Sequence, residues 1–286
     1  MMPIQSQTQL GPHIATALQF GGAGTPLHFY HANGFGASAY LPYLQRIAPH
    51  YCLSALNMRP LWPNAPAPER KIGWHQYADD LIAWLEATQS GPVVGLGHSM
   101  GAVATAFAAN KRPDLFQALV LIEPPGTSLA VSALLRSVPY NLRKRLGPIR
   151  AASRARHIWP DCETMFGDLR PDPAYKRFDD AGLRHLIANT THNNTKGVSL
   201  SFPVNWEMHN YLHAPHSLPA LSRLQVPTHI IAAKTSFFCP PEVMAKIEAK
   251  RPDVRFSNFP NHGHLMPLEA PEDAATATLD ALGTLL

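Results

Sequence analysis

Gly97-His98-Ser99-Met100-Gly101 decides how this chain is read. The pentapeptide comes after an apolar run, Pro92-Val93-Val94-Gly95-Leu96, and precedes a run of small residues, Ala102-Val103-Ala104-Thr105-Ala106-Phe107-Ala108-Ala109. The first run has the length and composition of a buried strand, and the second suits a helix packed closely on a sheet. A G-x-S-x-G between strand and helix is a nucleophile elbow. The turn is so tight that a Cβ on either glycine would strike neighbouring backbone. It sets the Ser99 hydroxyl at the carboxyl end of a strand, above a helix N-terminus whose backbone N–H groups lack intrahelical partners. Such N–H groups can stabilise a developing oxyanion.

Outward from the elbow the chain alternates strands and helices. Residues 27–30, 51–56, 92–96 and 118–122 read as strands, and residues 40–47 and 101–110 as helices. Trp74, Tyr77, Leu81, Trp84 and Leu85 give residues 74–88 the apolar face of an amphipathic helix. The proline-rich stretch 60–68 reads as a loop, because proline removes donors and blocks helix. From 125 to about 221 the short apolar runs give way to Arg, His, Asn and Pro, with helical patterns at 129–146 and 182–190. Alternation then returns, with strands at 227–233 and 254–259 and helices at 241–249 and 271–285. This order predicts a mostly parallel sheet with an insertion. The expected organisation is a core of residues 1–124 and 222–286 with a helical cap, or lid, over 125–221.

The bulk properties exclude several classes. The 286 residues carry a formal charge of +4, with 45% apolar residues. Basic residues form no long block, so no nucleic-acid partner is expected. The local excess of Arg136, Arg143, Lys144, Arg145, Arg150, Arg154 and Arg156 reads as a solvated helix face, with an anion-attracting surface the less favoured reading. Cys52, Cys162 and Cys239 are too few and too scattered for a disulfide framework or a zinc pattern. The N-terminus lacks the basic and apolar regions of a signal peptide, and no stretch of about twenty residues is apolar throughout. A cytoplasmic protein without a membrane partner is therefore expected.

A serine needs a base to act as a nucleophile. The candidate lies in Pro260-Asn261-His262-Gly263-His264-Leu265-Met266-Pro267-Leu268-Glu269-Ala270-Pro271. His264 comes after a glycine in the loop between the last strand and the last helix. His262 lacks the preceding glycine and is the weaker choice. The elbow, the glycine-bearing loop after residues 27–30, a strand–loop near 230 and a terminal G-H…E-x-P together resemble the α/β-hydrolase superfamily. The resemblance covers roughly residues 25–124 and 222–286. The middle is similar, in position and composition, to the helical cap that many members insert after strand 6. The resemblance implies an α/β chain of α/β-hydrolase fold, with a mostly parallel central sheet flanked by helices. It also implies Ser99 as nucleophile and His264 as base.

The acid departs from the family pattern. It usually comes after the strand beyond the cap, and here Ser236 stands in that stretch, Ala233-Lys234-Thr235-Ser236-Phe237-Phe238. A serine hydroxyl can hold an imidazole N–H but supplies no negative charge. Either the acid comes from elsewhere or the triad is degenerate. Glu123 stands just after the strand 118–122, one helix and one strand beyond Ser99, which brings it to the same sheet edge. A subset of the superfamily places its acid there, and the Ser…Glu…His order is kept. Asp253 precedes its strand and falls on the opposite edge. Asp179 and Asp180, in the cap, would need a long reach.

Two backbone donors are required for an oxyanion. Met100 supplies one. The other comes from His31-Ala32-Asn33-Gly34-Phe35: Phe35 if Gly34 is the loop glycine, Asn33 if His31 is the loop histidine and Ala32 replaces glycine. Phe35 is preferred. Expected substrate contacts are His98, Trp206, His209, Phe237, Phe238 and Met266, with Phe202 and Tyr211 also candidates. Adjacent Phe237 and Phe238 are costly to expose in a strand-end loop.

The superfamily's haloalkane dehalogenases and epoxide hydrolases carry aspartate at the elbow, so Ser99 points to acyl chemistry. The expectation is a serine hydrolase, free of cofactor and metal, that cleaves a carboxylic ester or related acyl bond of a small, fairly apolar molecule. Its partner is that small-molecule acyl substrate. Carbon–carbon bond hydrolysis and thioester hydrolysis by the same triad are the enzymatic rivals. A ligand-binding protein with a disabled triad is the rival that Ser236 keeps alive.

Overall fold

The computed structural model describes residues 2–69, 71–126, 133, 137–138, 142, 156–233 and 238–286. The chain opens with two strands, β1 (Ile4–Leu10) and β2 (His13–Gly21), paired antiparallel from Ile4↔Gln19 to Leu10↔His13. Sequence patterning gives no sign of this hairpin. β1 reads Ile-Gln-Ser-Gln-Thr-Gln-Leu, none of it fully buried, so it has little apolar signal to detect. Next come β3 (Pro26–Tyr30), α1 (Leu41–Ile47), β4 (Cys52–Leu56), α2 (His75–Thr88), β5 (Val93–His98), α3 (Met100–Lys111) and β6 (Phe116–Ile122).

The insertion after β6 contains β7 (Ile158–Trp159), α4 (Cys162–Leu169), α5 (Asp180–Thr190), β8 (Thr191–Asn194), β9 (Gly197–Leu200), α6 (Val204–Leu212) and α7 (Leu218–Leu221). The insertion, expected as a helical cap, holds a small sheet besides its helices: β7, β9 and β8 pair antiparallel in that order. These strands are two to four residues long, too short for a period-two pattern to register. The helix expected over 129–146 lies almost wholly outside the described residues, as do Ser236, Phe237 and the basic residues from Arg136 to Arg154. The core resumes with β10 (Thr228–Ala233), α8 (Pro241–Glu248), β11 (Arg255–Phe259), α9 (Met266–Glu269) and α10 (Pro271–Leu285).

Among the described residues, the main sheet runs β1-β2-β4-β3-β5-β6-β10-β11. β1, β2 and β4 pair antiparallel, and every pair from β4 across to β11 is parallel. Parallel strands need crossover helices, which cover both faces. On one face Tyr77, Leu81 and Trp84 of α2 pack with Val103, Ala106 and Phe107 of α3. On the other, Tyr43, Leu44 and Ile47 of α1 pack with Ala274, Ala281 and Leu282 of α10. Residues 100–109 of α3 are all buried, and their small size lets the helix lie close on the sheet. No helix among the described residues is long and apolar enough to cross a membrane.

This topology sets the site. The ladder continues one residue past the strands: Ser99 N–H donates to Ile122 O at 2.9 Å, and Glu123 N–H donates to Ile231 O at 2.8 Å. Ser99 stands directly after the last residue of β5 and Glu123 directly after the last residue of β6, so the two side chains leave the same edge of the sheet.

Candidate active site

The elbow is built as its glycines demand. Ser99 has φ +54° and ψ −120°, a conformation costly for any residue with a side chain. A Cβ on Gly97 would lie 2.6 Å from Ala102 Cα, and one on Gly101 2.2 Å from Tyr30 O. Neither position admits alanine without moving backbone. The strain at Ser99 is held by Val103 N–H donating to Ser99 O at 3.2 Å, and by the ladder bond to Ile122.

His264 stands in the loop between β11 and α9. Gly263 N–H donates to the Glu269 carboxylate, which is nearly fully buried and folds this loop back on α9. The E-x-P signature thus shapes the loop that carries the histidine. His264 Nε2 lies 2.8 Å from Ser99 Oγ, and His264 Nδ1 lies 3.0 Å from Glu123 Oε2. A carboxylate can only accept, so Nδ1 carries the proton and Nε2 offers its lone pair to the serine hydroxyl. His262 faces Glu269 and Asp273 instead, and its ring tilts over Phe259.

Glu123 is fully buried at φ +50°. Its second oxygen, Oε1, accepts Ala233 N–H at 2.6 Å, so the last residue of β10 orients the carboxylate toward His264. Burial, with Glu123 adding to the effect, pushes the Cys239 thiol up to about 12, which keeps it neutral beside the acid.

Met100 N–H opens α3, and no acceptor among the described residues takes it. The backbone bonds of residues 31–35 bear on the two registers offered for the second oxyanion donor. Phe35 N–H donates to Ala32 O at 3.4 Å, closing a turn over Asn33 and Gly34 with Gly34 at φ +83°. The backbone N–H of Asn33 is not committed in this way. His31 behaves as the loop histidine: Met58 N–H donates to its Nε2 at 2.8 Å, and its Nδ1–H donates to Ala32 O at 2.8 Å. Burial pulls the His31 imidazole down to about 4, so the neutral form those bonds require persists. The sequence carried both registers, and of their two donors Phe35 N–H is the one engaged in a turn bond.

Several residues expected to touch substrate are buried and bonded to other protein groups. His98 is fully buried, with one ring nitrogen bonded to the Tyr40 hydroxyl and the other to His264 O. Met266 is also fully buried, packed in the core on the α1 side. Trp206 donates to Pro66 O at 3.0 Å, and His209 donates to Ile72 O at 2.6 Å. Both bind α6 to the loop before α2, so they seat the insertion on the core. Phe202 packs edge-on against His31. Phe238, half-buried, sits over the His264 ring with centroids 4.1 Å apart.

The sequence did not single out Asn210 and Glu207. Asn210 Nδ2 donates to Asn33 Oδ1 at 2.8 Å, and Asn33 Nδ2 donates to Glu207 O at 3.2 Å, so α6 grips the oxyanion loop. Trp74 and Tyr77 donate in turn to Asn210. The Glu207 side chain lies against Gly34, and burial lifts its carboxyl to about 6. Trp206 and His209 were expected from the sequence as substrate contacts, but which core loop they meet was not legible there. Among the described residues no three His, Cys, Asp or Glu side chains gather in a metal-binding group.

A parallel α/β sheet with a strained serine between strand and helix, a histidine within hydrogen-bond reach and a capping insertion defines the α/β class of hydrolases. The chain belongs to the alpha/beta hydrolase family, whose model matches residues 21–277. It is 24% identical over 268 residues to 2-(acetamidomethylene)succinate hydrolase of Mesorhizobium japonicum, covering 91% of this chain and 90% of that one. It is 27% identical over 210 residues to lipase LipV of Mycobacterium tuberculosis, covering 71% and 73%. Among solved structures, E-2-(acetamidomethylene)succinate hydrolase superposes with TM-score 0.82 at 18% identity, over 98% of this chain and 99% of that one. The chain is a hydrolase of this family.

Proposed function

We propose that this hydrolase cleaves a carboxylic ester or related acyl bond through an acyl-enzyme on Ser99. The observation that carries the reading is the unbroken line Ser99–His264–Glu123, at 2.8 and 3.0 Å, in the tautomer that nucleophilic attack requires. Ser99 Oγ attacks the carbonyl carbon as His264 Nε2 takes its proton. Met100 N–H and Asn33 N–H receive the oxyanion. Collapse expels the leaving group, which takes the proton from His264. Water, activated by the same nitrogen, then releases the acid and restores Ser99. The Glu123 carboxylate stabilises the imidazolium formed in each half. This reading needs neither cofactor nor metal, and its partner is a small-molecule substrate.

The acid at the end of β6 bears on the serine at position 236. A carboxylate is available to His264 from another strand, which supports an active enzyme over a disabled binder.

A second reading keeps the same acyl-enzyme but takes an amide-bearing dicarboxylate. The name of the Mesorhizobium relative favours it, and so does the exposed Arg177, whose guanidinium lies near Gly263 in the loop that carries His264. The lipase relative favours the ester.

A fluorophosphonate probe tests the common step. Wild type should be labelled and Ser99→Ala should not, and an unlabelled wild type refutes the reading. A panel of p-nitrophenyl esters, thioesters and N-acyl enamine dicarboxylates, competed against that probe, separates the substrate classes.

A further inference from the structure

A buried hydrogen-bond chain links the three parts of the proposed machinery. His98 immediately precedes Ser99, and its Nε2 lies 2.8 Å from His264 O. A peptide carbonyl only accepts, so the His98 proton is on Nε2. Nδ1 then holds a lone pair, into which the Tyr40 hydroxyl donates at 2.8 Å. The Tyr40 oxygen in turn accepts Ala32 N–H at 3.2 Å. The path runs from the residue before the oxyanion donor Asn33, through the residue before the nucleophile, to the main chain of the base.

Every group in this path is satisfied, and both side chains are fully buried. The Tyr40 ring packs against Phe29 at 4.8 Å and edge-on against Phe35 at 6.4 Å, so packing aims its hydroxyl. Desolvation, with the His264 ring nearby adding to it, holds His98 well below the usual imidazole range. A neutral His98 keeps the required tautomer and adds no repulsion when His264 takes up a proton.

We propose that Tyr40 and His98 are positioning residues that hold the oxyanion loop, the elbow and the His264 main chain in one register. The inference rests on Ser99 being the nucleophile. The bonds from His264 to Ser99 and Glu123 fix the tip of the imidazole, whereas the His98 bond fixes the backbone from which it swings. A displacement of about 1 Å between reacting groups costs about a hundredfold in rate.

The test measures the second-order rate of fluorophosphonate labelling at 25 °C, with Tm determined on the same samples. In that reaction Ser99 Oγ bonds to phosphorus, fluoride leaves and the serine proton passes to His264. Tyr40→Phe keeps the ring and removes the hydroxyl. It should label about 10–100-fold more slowly while Tm falls by less than about 10 °C. His98→Gln can still donate to His264 O, whereas His98→Asn keeps only the acceptor toward Tyr40. The Gln variant should label faster than the Asn variant. Combining Tyr40→Phe with His98→Asn should cost less than the product of the two single effects, because both break the same chain. The proposal is overturned if Tyr40→Phe labels within twofold of wild type. It is equally overturned if the rates of the variants track only their unfolded fractions. An unlabelled wild type would instead remove Ser99 as nucleophile, an outcome distinct from either.

Discussion

Replacing Glu123 by glutamine removes one charge and keeps the shape, and the hydrogen bonds around the carboxylate fix the consequence. Glu123 Oε1 accepts Ala233 N–H at 2.6 Å, and a donor N–H there tolerates only an acceptor. The glutamine oxygen must therefore stay on Ala233, which turns its NH2 toward His264 Nδ1. That NH2 can only donate, so Nδ1 must give up its proton and Nε2 must carry one. The imidazole then presents N–H, rather than a lone pair, to Ser99 Oγ, 2.8 Å away. The lost charge adds to the tautomer effect. With charge centres about 4 Å apart and an effective dielectric near 20, carboxylate and imidazolium attract by about 4 kcal/mol. At about 1.4 kcal/mol per decade that is about three decades of rate, and the wrong tautomer brings the expected loss to about 10³–10⁴ in kcat. The assay is p-nitrophenyl acetate hydrolysis with active-site titration, with Tm measured alongside. A variant within tenfold of wild type would show that Glu123 does not serve His264 and would return the acid to another residue.

The same geometry sets three other expectations. Gly101→Ala drives a Cβ to 2.2 Å from Tyr30 O, so the oxyanion loop must shift; Tm should fall with a loss of about 1–3 kcal/mol or more, and labelling of Ser99 should fall with it. Asn210→Ala strips partners from Tyr77 Oη and Asn33 Oδ1; chemical denaturation should read a loss of about 2–4 kcal/mol, and unchanged stability would mean that α6 does not clamp the loop. Glu207 ionises at about 6 in the folded chain, above the ordinary 4.5, so the folded state binds the extra proton between those values and stability declines as pH rises through that window. Glu207→Gln should therefore gain up to about 2 kcal/mol over wild type at pH 8 and nothing at pH 4, and an equal gain at both pH values contradicts the assignment.

The elements with strong apolar periodicity were legible from the residues alone. β3, β5, β6 and β10 are buried runs, and α2 shows its face through Trp84, Leu81 and Tyr77. The hairpin of β1 and β2 and the small sheet of the insertion were not. β1 is polar through its middle, and the strands of the insertion are only two to four residues long, so neither carries an apolar period to read. His98 shows the same limit at the site. It was expected among the substrate contacts, whereas its ring is buried and bonded to Tyr40 and the His264 carbonyl.

The sequence by itself determined the elbow. Gly97 and Gly101 are required by contacts within a few residues of Ser99 or with the adjacent β3 edge, and such local sterics write themselves into residue identity. It also carried His264 and Glu123 as candidates, because strand ends and a glycine-bearing loop are readable from order along the chain. Tertiary structure decided which groups meet. Glu123 reaches His264 across 141 positions of sequence because β6, β10 and β11 run parallel and end at one edge. Asn33, rather than Phe35, keeps its N–H uncommitted because a turn closes behind it. The first outcome depends on a distance of about 3 Å between segments far apart in the chain and the second on how one short turn closes, and hydrogen-bond geometry at that scale is set by packing rather than by composition.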